Sequence, residues 1–515
     1  MNNMDSSPYF IRAQNGGTVQ LNAKCFNDPV HGHIQLHPLL VTVIDTPQFQ
    51  RLRNIKQLGA TYFVYPGASH NRFEHCIGTC HLAGELARHL KAQHPALVDD
   101  KDVLCIELAG LCHDLGHGPY SHMFDMKFLP KFEENQKWTH EKGSCMMLDY
   151  LIDENNLKAE FESYGLSLTV DLIFVKEMIM GPFDPENKNW KYKGRPLEKS
   201  FLYEIVSNDR NKVDVDKWDY FARDCHHLGI KNSFDHKRFM QFLKVLTVQG
   251  ENAQICARDK ECINLYEMFH TRSALHRRAY QHRVCTTIEA MICDAMFLAN
   301  EHLKILGKDK KVLKISECIY DMVAYEKLTD NIFYQILYST EEHVDMENAR
   351  NILKRILCRD LYKYVGYSKP PKNKSVHLSH YDCIKMQEEI AELDNGLEAD
   401  DILVNVCTFN YGMKGENPCD QFRFYSKANP DIPYQIRREE ISHMLPDTFQ
   451  DCEIQIFCKY SDKCELAKKC LQIWCQKRKY KPPITFKVAE TSLTPVKRPS
   501  TSTENNTNGA KRLLL

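Results

Sequence analysis

From Lys24 to about Tyr367 the apolar residues recur mostly at helical spacing. Cys76, Cys80, Ala83, Ala87 and Leu90 stand three or four apart and line one face of a helix. Val103 to Leu111 is an apolar run that Gly116, Gly118 and Pro119 bring to an end. A breaker-rich stretch, Lys369-Pro-Pro-Lys-Asn-Lys374, follows much later. Beyond it the period changes: Ile402-Leu-Val-Asn-Val-Cys407, Gln421-Phe-Arg-Phe-Tyr425 and Cys452-Glu-Ile-Gln-Ile-Phe457 alternate or run rich in β-formers. The pattern predicts a mainly α protein. A polar, loose arm spans 1–23, a helical domain 24–368 and a smaller α+β lobe 369–487. A Ser/Thr/Pro/Lys/Asn-rich tail at 488–515 has too little apolar surface to fold. No internal repeat is visible.

Composition narrows the class. A chain of 515 residues is too long for one compact core, and 43% hydrophobic with 26% charged residues is ordinary for a globular protein. Lys+Arg (67) and Asp+Glu (68) nearly cancel, which excludes a chain that is basic throughout and leaves room for local basic patches. No apolar run reaches the ~18 residues of a membrane span, and Met1 to Phe10 has no basic then apolar leader. The expectation is therefore an intracellular protein of nucleus or cytoplasm with no membrane partner. Its 21 cysteines then read as buried thiols of a reducing compartment. Cys452, Cys458, Cys464 and Cys470 recur regularly, but structural zinc ligands usually stand about two to four residues apart. A strand followed by a helix with buried thiols explains them better.

The strongest chemistry lies in Cys112-His-Asp-Leu-Gly-His-Gly-Pro-Tyr-Ser-His122. An apolar helix delivers the His113 imidazole and the Asp114 carboxylate side by side, and glycines turn the backbone sharply just after. Imidazole with carboxylate suits a divalent ion such as Zn, Fe, Mn or Mg. Two ligands do not complete a site. His75 opens an earlier helix, and Asp216 lies in Val213-Asp-Val-Asp-Lys-Trp218. Alone, either reads as an ordinary core histidine or a solvated carboxylate. Together, a buried polar cluster of this kind is costly unless a metal or ligand satisfies it.

The order His…His-Asp…Asp is that of the HD superfamily. From Lys24 to about Phe486 the chain closely resembles the vertebrate SAM-and-HD-domain deoxynucleoside triphosphate triphosphohydrolases. The most specific stretches are Asn27-Asp-Pro-Val-His-Gly-His33, Asp45-Thr-Pro-Gln-Phe-Gln-Arg-Leu-Arg53, Pro66-Gly-Ala-Ser-His-Asn-Arg-Phe-Glu-His75, the His113 segment and Asp214 to Leu228. The chain starts where the HD region of that family starts. The resemblance thus implies a form without the SAM domain, with SAM-mediated contacts in doubt and the chemistry intact.

The resemblance implies hydrolysis of a dNTP to a deoxynucleoside and tripolyphosphate. By it, His75, His113, Asp114 and Asp216 hold the metal. His140 is the general acid, Asp125 orients it, and His117 and His122 face the α-phosphate. Arg72, Lys217 and Arg272 meet the phosphates. Tyr220, Asp224 and Gln57 hold the sugar edge, while Leu58 and Tyr280 crowd the 2′ position; Gln281 completes the substrate set. Asp216, Tyr220 and Asp224 share one helical face, as do Arg272, His276 and Tyr280. Without the resemblance, His140 is a surface histidine in a polar loop and His270 to Arg283 a solvated basic face.

The resemblance also implies activation by nucleotides and assembly into a homotetramer. GTP or dGTP would be read by Asp45, Gln50 and Arg53, with Lys24 and Cys25 of a neighbouring subunit. A dNTP effector would touch Asn27, Val64, Arg238, Arg258, Lys260, Asn264, His282 and Arg283. Two departures bear on this. Cys25 stands where valine is expected, and Val376-His-Leu-Ser-His380 matches the family's basic segment poorly. Thr494-Pro-Val-Lys497 resembles a site for a cyclin-dependent kinase, whose phosphate adds about −1.5 to −2 charge. Control of dNTP pools and antiviral restriction in innate immunity are further implications of the resemblance. Two alternatives remain at this stage. One is a nuclease or cyclic-nucleotide phosphodiesterase on the same scaffold, against which Leu58, Tyr220, Asp224 and Tyr280 argue. The other is a module that binds single-stranded nucleic acid through basic patches, with binding that is salt-sensitive and survives loss of Asp114.

Overall fold

The computed structural model describes residues 9–484 apart from 13–17, 133–134, 136, 184, 187–189, 250, 372–379, 414 and 443–444. Thr494 and nearly all of the Val376–His380 segment lie outside the described residues. The helical domain opens with a β-hairpin, β1 (Lys24–Asp28) and β2 (Gly32–Leu36), paired antiparallel. Two long helices follow, α1 (Arg72–Gln93) and α2 (Asp100–Cys112), packed on each other. Asp99 caps α2 in a reciprocal box with Asp102, and Glu74 accepts from the Asn71 amide at the start of α1. From Val103 to Cys112 every side chain of α2 is buried, the mark of a helix covered on all sides.

The helix α3 (His140–Glu154) packs on the helix Asp171–Met180, which in turn packs on α2, and α4 (Val215–Leu228) lies along α1. Asp214 caps α4, and Gly229 ends it with a left-handed φ of 66°. A second hairpin, β3 (Leu243–Thr247) and β4 (Ala253–Arg258), precedes α5 (Cys262–Leu275) and α6 (Arg283–Ala299), and α7 (Val344–Leu357) packs on α6. No helix among the described residues is long and apolar enough to cross a membrane.

The C-terminal lobe has its own core. Strands β5 (Lys363–Ser368), β6 (Ile402–Asn410) and β8 (Gln450–Cys458) form an antiparallel sheet with β8 in the centre. Helices α8 (His380–Ala391) and α9 (Cys464–Arg478) cover it, burying Ile390, Ile402, Val404, Ile454, Leu471 and Trp474. The lobe thus takes a strand from before residue 369. That strand shows no clear signal alone, because its partner comes about ninety residues later.

The segment between β6 and β8 leaves the lobe. Its two-residue strand β7 (Phe424–Tyr425) pairs parallel with β4, and Cys419, Phe422, Phe424 and Phe449 are buried in the main core. The 1–23 arm is also less loose than its polarity suggests: Phe10–Arg12 pairs with Thr18–Gln20, and the Tyr9 hydroxyl donates to Glu107 of α2 at 2.8 Å. All 21 cysteines are free, and the sixteen that are buried serve packing. Cys452 and Cys458 lie on β8 and Cys464 and Cys470 on α9, and none belongs to a metal-ligating cluster among the described residues.

Candidate active site

Three elements meet at His75. It sits in the first turn of α1, His113 caps the C-terminus of α2, and Asp216 lies in the first turn of α4. His75 Nε2 is 3.1 Å from His113 Nε2, 3.1 Å from Asp216 Oδ1 and 3.5 Å from Asp114 Oδ2. His113 Nε2 is 3.4 Å from Asp216 Oδ1 and 3.5 Å from Asp114 Oδ1. The other ring nitrogens are engaged: His75 Nδ1 donates to Asp219 at 2.7 Å and His113 Nδ1 to the Gly110 carbonyl at 2.9 Å. With both rings neutral, the two Nε2 atoms would be acceptors facing one another, an arrangement that a shared cation, whether a proton or a metal ion, relieves. Burial disfavours charge on His75, but Asp216 and Asp219 outweigh it and hold its proton up to about 10, so the site demands positive charge. The donor set of two imidazoles and two carboxylates fits a divalent metal.

Beside this centre lies a second histidine group. His140 Nδ1 donates to Asp125 Oδ2 at 2.7 Å, and His122 Nδ1 is 3.6 Å from Asp125 Oδ1. Asp125 lies in a π-helical turn, Phe124–Phe128. The His117 ring stacks on His140 at 4.0 Å between centroids. Burial lowers both imidazoles, but the Asp125 carboxylate more than compensates at His140, whose pKa is raised. His117 stays well below the ordinary value through burial, with Arg72 and His140 adding to it. Asp125 is held below the carboxylate range because His122 and His140 outweigh its burial. These four side chains are also close enough to gather an ion. However, His140 spends its Nδ1 on Asp125, and no pair of acceptors there is forced together.

The loop between them is tightly bound. Gly116 packs against the backbone of His140, Gly143 and Ser144, leaving no room for a Cβ. Tyr120 and Ser121 then adopt left-handed φ angles of 59° and 56°, uncommon without glycine. Asp330 Oδ1 accepts from the Tyr120 amide at 2.6 Å, and the Ser121 hydroxyl donates to Lys56 O and accepts from Arg72 Nε.

Both groups border a cavity of about 590 Å³. Gln57, Leu58, Arg72, His117, His122 and Lys217 line it, as do Tyr220, Asp224, Arg272 and Tyr280, together with Asp114, Asp216 and His140. His75, His113 and Asp125 stand just behind. The Tyr280 hydroxyl donates to Asp224 Oδ2 at 2.5 Å, and Arg272 Nη1 donates to the Tyr220 oxygen at 3.2 Å. Gln57 Oε1, His117 Nδ1 and Arg272 Nε are buried without a protein partner, so polar capacity is concentrated where a ligand would lie.

Several of the expected residues have protein partners of their own or stand off the cavity. Gln281 does not line the cavity: its amide donates to the Thr408 carbonyl of β6 and meets His276 Nδ1. Arg72 is at the wall, but its guanidinium is spent on Asp114 Oδ2 (2.5 Å), Ser121 Oγ and Gln57 O. Lys217 Nζ is likewise 2.7 Å from Asp214. The face Arg272, His276, Tyr280 is not a plain α-helix, because His276–Tyr280 forms a π-helical turn. Lys212, Ser207 and Gly412 also reach the cavity. They sit in loops or in the C-terminal segment, and nothing in their local pattern announces it.

The residues expected to bind effectors lie on the surface in several groups. Lys24 Nζ is 3.6 Å from Asp45 Oδ2, and Arg53 Nε donates to Gln50 Oε1. Cys25 is exposed on β1, and Asn27 Oδ1 is 2.6 Å from His33. Arg238 pairs with Glu261 and Lys260 lies over the Phe242 ring, while Asn264 accepts from the Asp235 amide and Arg258 pairs with Asp259. Val64 caps a short turn beside Tyr65, whose ring lies edge-on to His282, and Arg283 lies over Tyr364.

The fold and this histidine–aspartate centre define an HD-domain hydrolase, and residues 72–223 match the HD domain family. All four converging side chains fall inside that span. The chain is 50% identical over 496 residues to deoxynucleoside triphosphate triphosphohydrolase SAMHD1 of Homo sapiens, covering 94% of this chain and 79% of that protein. It is also 50% identical over 494 residues to the Xenopus laevis protein of that name, covering 92% and 77%. The SAMHD1 homolog of Dictyostelium discoideum is 37% identical over 469 residues, covering 91% of this chain and 84% of that protein. The chain belongs to the SAMHD1 family of deoxynucleoside triphosphate triphosphohydrolases.

Proposed function

We propose that this protein hydrolyses deoxynucleoside triphosphates at the α-phosphate, releasing a deoxynucleoside and tripolyphosphate. One observation carries the reading: a single cavity joins the histidine–aspartate centre, the His140–Asp125 pair and the Tyr220–Asp224–Tyr280 cluster. His75, His113, Asp114 and Asp216 would hold a divalent ion, Zn, Fe, Mn or Mg, which would supply acidification of water and polarisation of a phosphoryl oxygen.

The remaining work falls to the chain. His140, kept protonated by Asp125, gives its proton to the departing 5′-oxygen. Arg272, with an unused Nε, and Lys217 balance the charge of the polyphosphate. His117 stays neutral and offers a hydrogen bond without adding repulsion to His140. Arg72 holds the Asp114 carboxylate in place. Asp224 and Tyr220 take the 3′-hydroxyl, and Leu58 with Tyr280 leaves no room for a 2′-hydroxyl.

By the family resemblance, the effector residues named above would be shared between copies of the chain, and GTP or dGTP with a dNTP would activate the protein through a homotetramer. Lowered dNTP pools and antiviral restriction follow from such an activity, in nucleus or cytoplasm. The decisive experiment incubates the protein and its Asp114→Ala variant with dATP, with and without GTP, in Mg or Mn. GTP-stimulated deoxyadenosine and tripolyphosphate that vanish in the variant are expected. Release of dADP or dAMP instead would overturn the cleavage site, and absence of turnover in every metal would overturn the enzymatic reading.

A further inference from the structure

His75 is oriented from behind by one carboxylate. Asp219, fully buried on α4, accepts from His75 Nδ1 at 2.7 Å. It also accepts from Arg223 Nε at 2.9 Å and Nη2 at 2.8 Å, and from His31 Nε2 at 2.6 Å. Four N–H donors on one buried carboxylate leave it no other position. Gly78, one turn beyond His75 on α1, makes the room: a Cβ there would collide with Asp219 and Arg223.

Two of these supports lead out of the helices to the turn between β1 and β2. His31 is in that turn. Arg223 Nη1 donates to Asp28 Oδ2 at 2.8 Å, and Asp28 Oδ1 accepts from the amides of Val30 and His31 at 2.8 Å each. His75 is thus tied to the hairpin by two routes, through Asp219 and His31 and through Asp219, Arg223 and Asp28. His31, Asp219 and Arg223 have side chains no more than 1% exposed, so water does not compete for these bonds.

We infer that Asp219 is a positioning residue for the metal centre and that the β1–β2 turn, through His31 and Asp28, sets how firmly the centre holds its ion. The inference rests on the proposal that His75 is a metal ligand. It extends that proposal, because the same hairpin carries Lys24, Cys25 and Asn27. A ligand that orders the hairpin and a metal ion at His75 then favour each other's binding, as linkage requires.

The test is titration of the metal-free protein with Mn²⁺, reading free Mn²⁺ by its electron paramagnetic resonance signal. Wild type, Asp219→Asn, His31→Asn, Asp28→Asn and His75→Ala are compared, each with its melting temperature in chelator. Loss of a carboxylate behind a ligating histidine typically weakens metal binding about 10–100-fold. We expect that loss for Asp219→Asn and a weakening in the same direction for His31→Asn, with the metal-free melting temperature kept. If His31→Asn does not fold, Asp28→Asn reads the same bridge from the hairpin. Folded variants that bind Mn²⁺ as tightly as wild type overturn the inference and leave the metal centre standing. Equal binding by His75→Ala overturns the centre itself.

Discussion

Two imidazoles stacked 4.0 Å apart hold opposite protonation preferences: His140 is raised and His117 well lowered. A general acid with a raised pKa works until pH climbs through that pKa. The kcat/KM profile should therefore fall on an alkaline limb lying above the ordinary imidazole value of 6.5. Asp125→Asn removes the partner that raises His140 and leaves burial, which lowers it. That limb should move to lower pH, with kcat down by about 10²–10⁴-fold. The same pair contributes stability that is present below the unfolded imidazole pKa and lost as pH rises through the folded one. Tyr280→Ala opens the sugar edge, so use of GTP relative to dGTP as substrate should rise about tenfold or more, read by product release from each. Legibility differed sharply among these residues. His113 and Asp114 stand out because an apolar helix ends on them between glycines. His140 sits in a polar loop that looks like surface, and only the resemblance singled it out. Asp219 has no signal of its own, since its importance lies in three partners from two other elements and its own helix.

At the scale of elements, the site depends on irregular pieces set among regular ones. Asp125 and Tyr280 both sit in π-helical turns, which shift the side-chain direction relative to an α-helix. Helical spacing placed Arg272 and Tyr280 on one side correctly in outline and missed the turn that delivers the tyrosine. The hairpins β1–β2 and β3–β4 inside the helical domain were hidden for a different reason. Strands of five or six residues with few alternations carry little signal beside long helices, and β pairing is fixed by a partner rather than by local sequence. Gly116 illustrates how closely these pieces meet. Its Gly116→Ala variant would press a Cβ into the backbone that carries His140. Overpacking of this kind costs about 1–3 kcal/mol, so urea denaturation should show a lower midpoint and activity should fall beyond what the lost stability explains.

For the whole molecule, the centre couples metal to fold. A ligand that binds only the folded state adds RT ln(1 + [L]/Kd), about 2.7 kcal/mol at a hundred times Kd. Chelation should lower the melting temperature and Mn²⁺ should restore it; an unchanged transition would show that no ion is resident. Assembly should follow the same law, with GTP and a dNTP together shifting the sedimenting mass towards four copies. The change of period near residue 369 marks a more β-rich second part, although its sheet already takes the strand Lys363–Ser368 from before that point. The return of the 411–449 segment to the first core was not legible, because Phe422 and Phe424 look like any β-rich run. That return governs how the chain is made. Strand β4 is complete at residue 258, and its parallel neighbour arrives only at residue 424. At about 5–20 residues per second, a ribosome leaves that strand edge and the apolar bed beneath Phe422 bare for about 8–33 seconds. A nascent chain in that interval is a client for chaperones. A gene truncated at the apparent boundary near 369 would yield an aggregating fragment in place of a minimal enzyme.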